Sequence, residues 1–372
     1  MDIRIGIVQS MKELEIELPE GANREEIMKE VEAALGTETI LWLTDRKDRR
    51  VGVPASRIAY VEFATSSSER IVGFGADCRQ GQSVIDYHLH LWPHSESSVT
   101  YQIDQIAAYC EEAATHGVSE LALTEHTHRF VDVASLVGPF WLKFGHEPTS
   151  AALAEYFAWH ARNSLEDYVN LAVAAKEQGL PVKVGLEVDY FRGQMDEVAD
   201  LLAQYPFDVL IGSVHWIDTW QFDDYENPVQ RHQWDVRDVD QAWSDYAARI
   251  AELAATNAVD VLAHPDLIKV AGFISSDPSQ FWKQAADAAK EADVSIEVSS
   301  AGWKKPVAEQ YPAQGFLDHL VARDLTFTTA SDAHRLERVG ERASDLATLL
   351  ESRGVHELAT YTKRQRSMVA LR

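Results

Sequence analysis

Histidines and carboxylates recur in short motifs that each close an apolar, strand-length run of the chain. The motifs contain seven of the fourteen histidines in the 372-residue sequence. In order they are Asp86-Tyr87-His88-Leu89-His90 with His94 shortly after it, Thr124-Glu125-His126, Gly185-Leu186-Glu187, Gly212-Ser213-Val214-His215, Ala263-His264-Pro265-Asp266 and Ser331-Asp332-Ala333-His334. A single histidine at a strand end is more often an ordinary polar residue than a ligand. So many in one pattern, beside Glu187 and Asp332, predict a metal cluster.

The ligand types indicate which ions and which reaction the cluster suits. Imidazole mixed with carboxylate favours Zn, Mn or Fe over Mg or Ca. In phosphate-monoester hydrolysis, two ions roughly 3.5–4 Å apart lower the pKa of a water, neutralise the phosphate oxygens and polarise the leaving oxygen. A carboxylate such as that of Glu187 can bridge two ions because it has two oxygens and a full charge. These ligand types therefore predict a transition-metal centre that suits the hydrolysis of a phosphate ester.

Other catalytic motifs are absent from the sequence. It contains no G-x-S-x-G nucleophile elbow, no P-loop and no G-x-G-x-x-G after a strand-like run. Ser331 stands beside Asp332, and we interpret it as a hydrogen-bonding residue at a strand end rather than as a nucleophile.

The elements that must position these residues alternate between strand and helix. Predicted strands cover residues 84–91, 120–125, 182–188, 208–214, 259–263, 295–298 and 326–330, and helical patterns lie between them at 103–114, 165–178, 241–255, 279–291 and 314–323. Seven successive βα units favour parallel strands closed into a barrel, whose strand ends converge on one mouth. Residues 129–149 are too irregular for a helix and are expected to form a lid-like insertion. Residues 357–361 are expected to add a strand.

The first 76 residues have a different pattern and predict a small α+β domain. Alternating apolar residues at 3–7 and 14–18 indicate a hairpin, and further strands are expected at 39–43, 50–54, 58–63 and 71–74. Asn23 and Glu26 form a capping-box pattern before a helix at 27–35. A linker at 76–82 separates this domain, whose role the sequence does not indicate, from a barrel domain at 83–372.

Composition limits the kinds of molecule that the protein is expected to bind and the compartment in which it is expected to lie. The formal charge of −25 disfavours nucleic acid, which binds through lysine and arginine, and favours a small substrate. No window of about eighteen apolar residues predicts a membrane span. The two cysteines indicate no disulfide framework and the N-terminus no secretion signal, so a cytoplasmic location is expected. The oligomeric state stays open.

The ordered set of motifs resembles the polymerase-and-histidinol-phosphatase (PHP) superfamily over residues 84–340. The runs 212–216, 300–306 with Tyr311-Pro312, and 331–335 are similar to its monofunctional histidinol phosphatases. This resemblance implies a distorted (β/α)7 barrel with three metal ions that hydrolyses L-histidinol phosphate in histidine biosynthesis. The alternatives are a PHP enzyme acting on a nucleotide or sugar phosphate, and a non-catalytic PHP-like module. Residues 1–76 resemble a small uncharacterised bacterial domain.

The same resemblance implies the role of each ligand. His88, His90, Glu187 and Asp332 would hold the first ion. Glu187 would bridge to a second ion, held also by His215 and His264, and the third would be held by His94, His126 and His334. Glu187, Asp332 and His215 are the predicted catalytic residues.

Substrate contacts are predicted from cations and acids near the motifs. Lys305, Arg129 and Arg335 are candidates for the phosphate, although each is alternatively a solvated surface charge. Glu125 and Asp189 are candidates for the ammonium of histidinol, with Asp189 alternatively a strand-closing residue. Two positions depart from the family pattern, which usually has aspartate at Glu125 and often arginine at Lys305.

Aromatic residues and the other histidines complete the predictions. Trp216, Trp220 and Trp303 either wall the pocket or pack within the barrel, and packing is favoured for Trp220. His128 is either a supporting residue near His126 or unrelated to the cluster. The remaining histidines are interpreted as surface residues; they are His116, His146, His160, His232, His319 and His356.

Overall fold

The computed structural model describes residues 2–7, 13–19, 27–29, 31, 33–34, 39–46, 49–64, 84–95, 102–145 and 148–371. The chain divides into two compact units, Met1–Gly73 and Phe74–Arg372. Each unit has a buried apolar cluster of its own.

The described residues of the first unit contain two antiparallel sheets. Strands β1 (Asp2–Ile7), β2 (Glu13–Glu17) and β5 (Ile58–Ala64) pair in the order β2-β1-β5, and β3 (Ile40–Thr44) pairs with β4 (Arg50–Pro54). The predicted first hairpin is confirmed, because Ile3 lies opposite Ile16 in the β1–β2 register. Residues 27–29, 31 and 33–34 are helical. The predicted capping box and the predicted strand at 71–74 lie outside the described residues.

In the part of the second unit that the structure describes, seven parallel strands form one sheet, in the order β12-β11-β10-β9-β8-β7-β6. Their bounds are β6 Val84–Leu89, β7 Val118–Leu123, β8 Val182–Asp189, β9 Val209–Ser213, β10 Val261–Leu262, β11 Ser295–Ser299 and β12 Phe327–Ala330. Beyond the end of β12, the N–H of Asp332 donates to the carbonyl of His88 at 2.8 Å, and the N–H of His90 donates to the carbonyl of Ala333 at 2.7 Å. These bonds join the first strand to the last and close the predicted (β/α)7 barrel.

Helices connect the strands of the barrel. They are α1 Ile103–Thr115, α2 Val131–Val137, α3 Pro148–His160, α4 Leu165–Glu177, α5 Met195–Leu202, α6 Pro228–Val236, α7 Val239–Ala254, α8 Ser279–Glu291, α9 Gln314–Val321 and α10 Ala343–Glu351. Their buried faces cover the strands, which are themselves buried along nearly their whole length. Such strands read as continuous apolar runs, which explains why the sequence located them.

Of two predictions about the connections, the first is wrong and the second is confirmed. The stretch 129–149 was expected to hold no helix, yet α2 lies within it, because Val133 and Val137 are one helical turn apart and both are buried. Residues 357–361 do form a strand, β13 (Glu357–Thr362), but it pairs with β14 (Gln365–Ala370) in an antiparallel hairpin outside the seven-stranded sheet.

Candidate metal centre

The ends of the barrel strands bring the nine predicted ligands together. His88 lies on β6 with His90 just past its end, and Glu187 lies near the end of β8. The others follow β7, β9, β10 and β12 by a few residues, except His94, which lies on the loop after β6 and is exposed. Ligand atoms within 4.8 Å of one another form sets that include His88–His90–Glu187, His88–His264–Asp332, His90–His126–His334 and His94–His126–His128.

Glu187 occupies the middle of the cluster and is fully buried. Its two oxygens face different imidazoles. Oε1 lies near Nε2 of His264 at 3.2 Å and of His215 at 3.4 Å, whereas Oε2 lies near His126 Nδ1 at 2.7 Å, His88 Nε2 at 3.2 Å and His90 Nε2 at 3.4 Å. Burial opposes the charged form of Glu187, but the surrounding imidazoles hold its pKa well below the usual range. The carboxylate therefore divides the ligands into two groups, one at each oxygen.

Asp332 and His334 complete the other side of the cluster. Asp332 Oδ1 lies 3.6 Å from Nε2 of His88 and 3.5 Å from Nε2 of His90. The ring of His334 stacks on that of His90, with centroids 4.1 Å apart, and lies 4.5 Å from the ring of His94. Asp332 has a φ of +51°, which aspartate tolerates better than most residues.

Unpaired polar atoms in the cluster fit a set of divalent cations. Buried polar atoms normally have hydrogen-bond partners. Within the described ranges, Glu187 Oε2 and His126 Nδ1 lie 2.7 Å apart without the geometry of a hydrogen bond, and His126 Nε2, His264 Nδ1 and His334 Nε2 also make none. Nε2 of His88 and Nε2 of His90 are also only 3.1 Å apart, a close approach that a shared cation explains. The imidazole and carboxylate donors are those that transition metals prefer.

Asp189 supports the ligands from behind. It lies two residues after Glu187 on β8, so both side chains project from the same face. Its carboxylate accepts hydrogen bonds from Thr127 Oγ1 at 2.7 Å and from the His128 N–H at 2.9 Å, and it also faces His215 Nδ1 at 2.9 Å and His128 Nδ1 at 3.0 Å. Against the effect of burial, His128 and His215 hold the pKa of Asp189 well below its usual range. His128 lies beside His126, with ring centroids 4.5 Å apart, and this position favours the first of its two predicted alternatives, a supporting residue.

Asp86 fixes the backbone that carries Asp332. Its carboxylate accepts hydrogen bonds from the Ser331 N–H at 2.8 Å, the Ser331 hydroxyl at 2.5 Å and the Gly340 N–H at 2.9 Å. The prediction that Ser331 is a hydrogen-bonding residue is confirmed. Burial raises the pKa of Asp86, and these donors partly offset the increase.

Glu125 and Arg129 bind each other inside the protein. Arg129 is 1% exposed, so the alternative prediction that it is a solvated surface charge is wrong. Its Nε lies 3.2 Å from Glu125 Oε2, and it donates to the carbonyl of Trp92 at 3.1 Å. Glu125 Oε1 accepts the N–H of Leu91 at 2.6 Å. These contacts tie the loop after β6 to the loop after β7, and they occupy groups that the sequence assigned to the substrate.

The other candidate substrate contacts are more open. Lys305 and Arg335 are both exposed, and Arg335 directly follows His334. Trp216 is buried with its ring 6.1 Å from that of His215, so it does pack beside the cluster. Trp220 is fully buried against Trp234, as the packing interpretation predicted.

Sequence reasoning missed two buried residues. His160 was interpreted as a surface residue, which is wrong, because it is 3% exposed and its ring lies 4.3 Å from that of Tyr156. Glu297 was not singled out, yet its carboxylate lies 2.7 Å from Nδ1 of His88. A charged residue within the apolar run of β11 was the available signal. Of the remaining predicted surface histidines, His116, His232 and His356 are exposed and His319 is half-buried, while His146 lies outside the described residues.

Comparison with known families agrees with this geometry. Residues 88–301, more than half of the chain, match the family described as the PHP domain. The chain belongs to the PHP domain family. Residues 1–75 match a second family, described as a protein of unknown function (DUF3107).

Curated relatives of the PHP domain include two bacterial proteins. A probable histidinol-phosphatase of Deinococcus radiodurans is 30% identical over 70% of this chain and 90% of its own length. The histidinol-phosphatase of Lactococcus lactis is 24% identical over 75% of this chain and 94% of its own length. The chain therefore spans nearly all of each relative.

Solved structures show the same fold. The Lactococcus lactis histidinol phosphate phosphatase, in complex with Zn, L-histidinol and phosphate, superimposes with a TM-score of 0.55 at 19% identity, covering 77% of this chain and 99% of its own. A putative histidinol phosphatase of Listeria monocytogenes gives a TM-score of 0.56 at 18% identity, covering 70% of this chain and 98% of its own.

Proposed function

We propose that this protein is a metal-dependent phosphomonoesterase that converts L-histidinol phosphate and water to L-histidinol and phosphate. The observation that carries the proposal is the buried Glu187 carboxylate, whose two oxygens face five imidazoles. The Deinococcus and Lactococcus relatives, both named as histidinol-phosphatases, support the choice of substrate.

The ligand sets support three ions. We assign His88, His90, Glu187 and Asp332 to the first ion, and Glu187, His215 and His264 to the second. His94, His126 and His334 are assigned to the third. Zinc is the best-supported metal, because the Lactococcus lactis homologue was solved with it, and Mn and Fe suit the same donors.

The residues of the chain prepare the site for a phosphate dianion. When bound, the ions would activate water and neutralise charge on the phosphate and leaving group. Of the nine proposed ligands only Glu187 and Asp332 are carboxylates and the other seven are imidazoles, so a cluster loaded with divalent ions would keep a net positive charge. Asp189 faces Nδ1 of His215 at 2.9 Å, which leaves Nε2 of His215 directed at Glu187. Lys305 and Arg335, exposed on neighbouring loops, are proposed to contact the phosphate.

Glu125 and Arg129 are assigned a different role from the one that the sequence suggested. Because their side chains are buried against each other, we propose that they position the loops carrying His90 and His126 and do not contact the substrate. On this proposal, the ammonium group of the substrate contacts a residue other than Glu125.

The remaining proposals concern organisation and location. We propose that residues 83–372 form the catalytic domain and that residues 1–76 form a small domain outside the chemistry. We also propose that the enzyme acts in histidine biosynthesis in the cytoplasm, and the formal charge of −25 supports a small substrate over a nucleic acid. No helix in the described part of the chain is long and apolar enough to span a membrane.

The test is a comparison of kcat/KM for L-histidinol phosphate and for a nucleoside monophosphate on one preparation. The proposal expects a clear preference for histidinol phosphate. Glu187→Gln, purified in parallel, should lose the activity, which excludes a contaminating phosphatase. A ratio near or below one, with activity still lost in the variant, would retain a metal-dependent phosphoesterase but reject histidinol phosphate as its substrate.

A further inference from the structure

Besides Glu125 and Glu187, a further buried glutamate lies next to the cluster, on the barrel strand that supplies no predicted ligand. Glu297 lies in the middle of β11 and is 1% exposed. Its Oε2 is 2.7 Å from Nδ1 of His88, and its Oε1 accepts a hydrogen bond from the backbone N–H of His264 at 3.1 Å. One carboxylate therefore contacts a ligand on β6 and a ligand that follows β10.

We propose that Glu297 is a positioning residue that sets His88 and His264 for metal binding on both sides of Glu187. The inference rests on the proposed function in one respect, that the cluster binds metal. It concerns a residue that binds neither the ion nor the substrate.

The contact with His88 decides which ring nitrogen is free to bind a cation. A neutral imidazole carries one proton, on Nδ1 or on Nε2, and only the other nitrogen has a lone pair. The carboxylate of Glu297 accepts the proton of Nδ1, so the lone pair lies on Nε2. That nitrogen faces Glu187 Oε2 at 3.2 Å and Asp332 Oδ1 at 3.6 Å.

The contact with His264 acts on the backbone. His264 has a φ of +24°, in a region that residues with a side chain rarely adopt, so other contacts must hold it there. Its N–H donates to Glu297, and its Nε2 then lies 3.2 Å from Glu187 Oε1. Glu297 thus supports one ligand at each oxygen of Glu187.

Glutamine at this position separates orientation from packing. Glu297→Gln keeps the size of the side chain but replaces one acceptor by an NH2 donor. If the amide oxygen accepts from His264, the NH2 group faces Nδ1 of His88 and favours a proton on Nε2. If the amide oxygen faces Nδ1 of His88 instead, the NH2 group faces the backbone N–H of His264, so that two donors oppose each other. Either arrangement disturbs one ligand.

The matched control lies on the same strand and the same face. Ser295 is fully buried, and its hydroxyl hydrogen-bonds to Thr326 Oγ1 and Tyr361 Oη, both at 2.6 Å, away from the ligands. Ser295→Ala disturbs β11 without changing either contact of Glu297.

The experiment measures zinc in the full-length protein, independently of turnover. Zinc content after dialysis and zinc affinity by chelator competition are compared for wild type, Glu297→Gln and Ser295→Ala, with folding checked by circular dichroism. Supporting groups of this kind typically contribute about 10- to 100-fold to metal affinity, and that loss is expected for Glu297→Gln alone. If Glu297→Gln does not fold, Glu297→Asp is used, because the shorter acid cannot keep both contacts, and weaker binding than in Ser295→Ala is again expected.

Two results would overturn the inference. One is zinc affinity unchanged in the Glu297 variant, and the other is an equal loss in the Glu297 and Ser295 variants, which would indicate general damage to β11. Failure of the metal-binding part of the proposed function looks different, because wild type itself would then bind no zinc, whereas a different substrate would leave zinc binding unchanged.

Discussion

Replacing Arg129 by methionine should destabilise the barrel strongly. The guanidinium and the Glu125 carboxylate are 1% and 0% exposed, with Nε 3.2 Å from Oε2. Removing one partner of a buried pair leaves the other charge uncompensated and typically costs about 3–5 kcal/mol. Glu125→Gln should cost a similar amount, because it removes the carboxylate that faces the buried guanidinium of Arg129. The double variant should cost about 0.5–3 kcal/mol less than the sum of the single variants, since neither charge then remains.

The assay is urea unfolding of the full chain in the presence of a chelator, so that metal binding does not add to the measured stability. Arg192→Met is the matched control, because Arg192 and Asp218 form an ion pair at 3.3 Å with side chains 47% and 38% exposed. Such an exposed pair contributes about 0–1 kcal/mol. The difference in the free energy of unfolding between the Arg129 and Arg192 variants isolates the effect of burial.

The reasoning is refuted if Arg129→Met unfolds like the Arg192 control while its KM for substrate rises many-fold. That outcome would return Arg129 to the substrate-binding role predicted from the sequence.

Four further outcomes are expected. Elemental analysis should find about two to three transition-metal ions per chain, and removing them with a strong chelator should abolish activity. His215→Ala or Glu187→Gln should lower kcat more than His94→Ala; the reverse order would contradict the assignment of ions. Lys305→Ala should lower kcat/KM by about 10- to 150-fold for a charged contact worth roughly 1.5–3 kcal/mol, whereas Lys305→Arg should stay close to wild type. A chain beginning at Gly81 should fold and retain its turnover, and a folded but inactive one would show that the N-terminal unit contributes to activity.

The barrel and the ligand candidates could be predicted because each strand and the ligand at its end lie in one short, continuous stretch of sequence. A buried parallel strand is a short apolar run, and a ligand at its end is the next polar residue along the chain. His88 near the end of β6 and His90 just past it illustrate this, because residues two positions apart in extended chain project from a common face. The helix α2 was missed because its buried face is only two valines wide, inside a stretch rich in glycine and aromatic residues.

Tertiary structure decided which polar residues support the ligands and which remain exposed. Arg129 and Lys305 are both cations near motifs, and only packing shows that the first is buried against Glu125 while the second faces solvent. His88 and Glu297 are 209 positions apart and meet because the barrel closes. Local sequence determines which side chains end each strand, but contacts between strands distant in the chain exist only once the sheet has closed on itself.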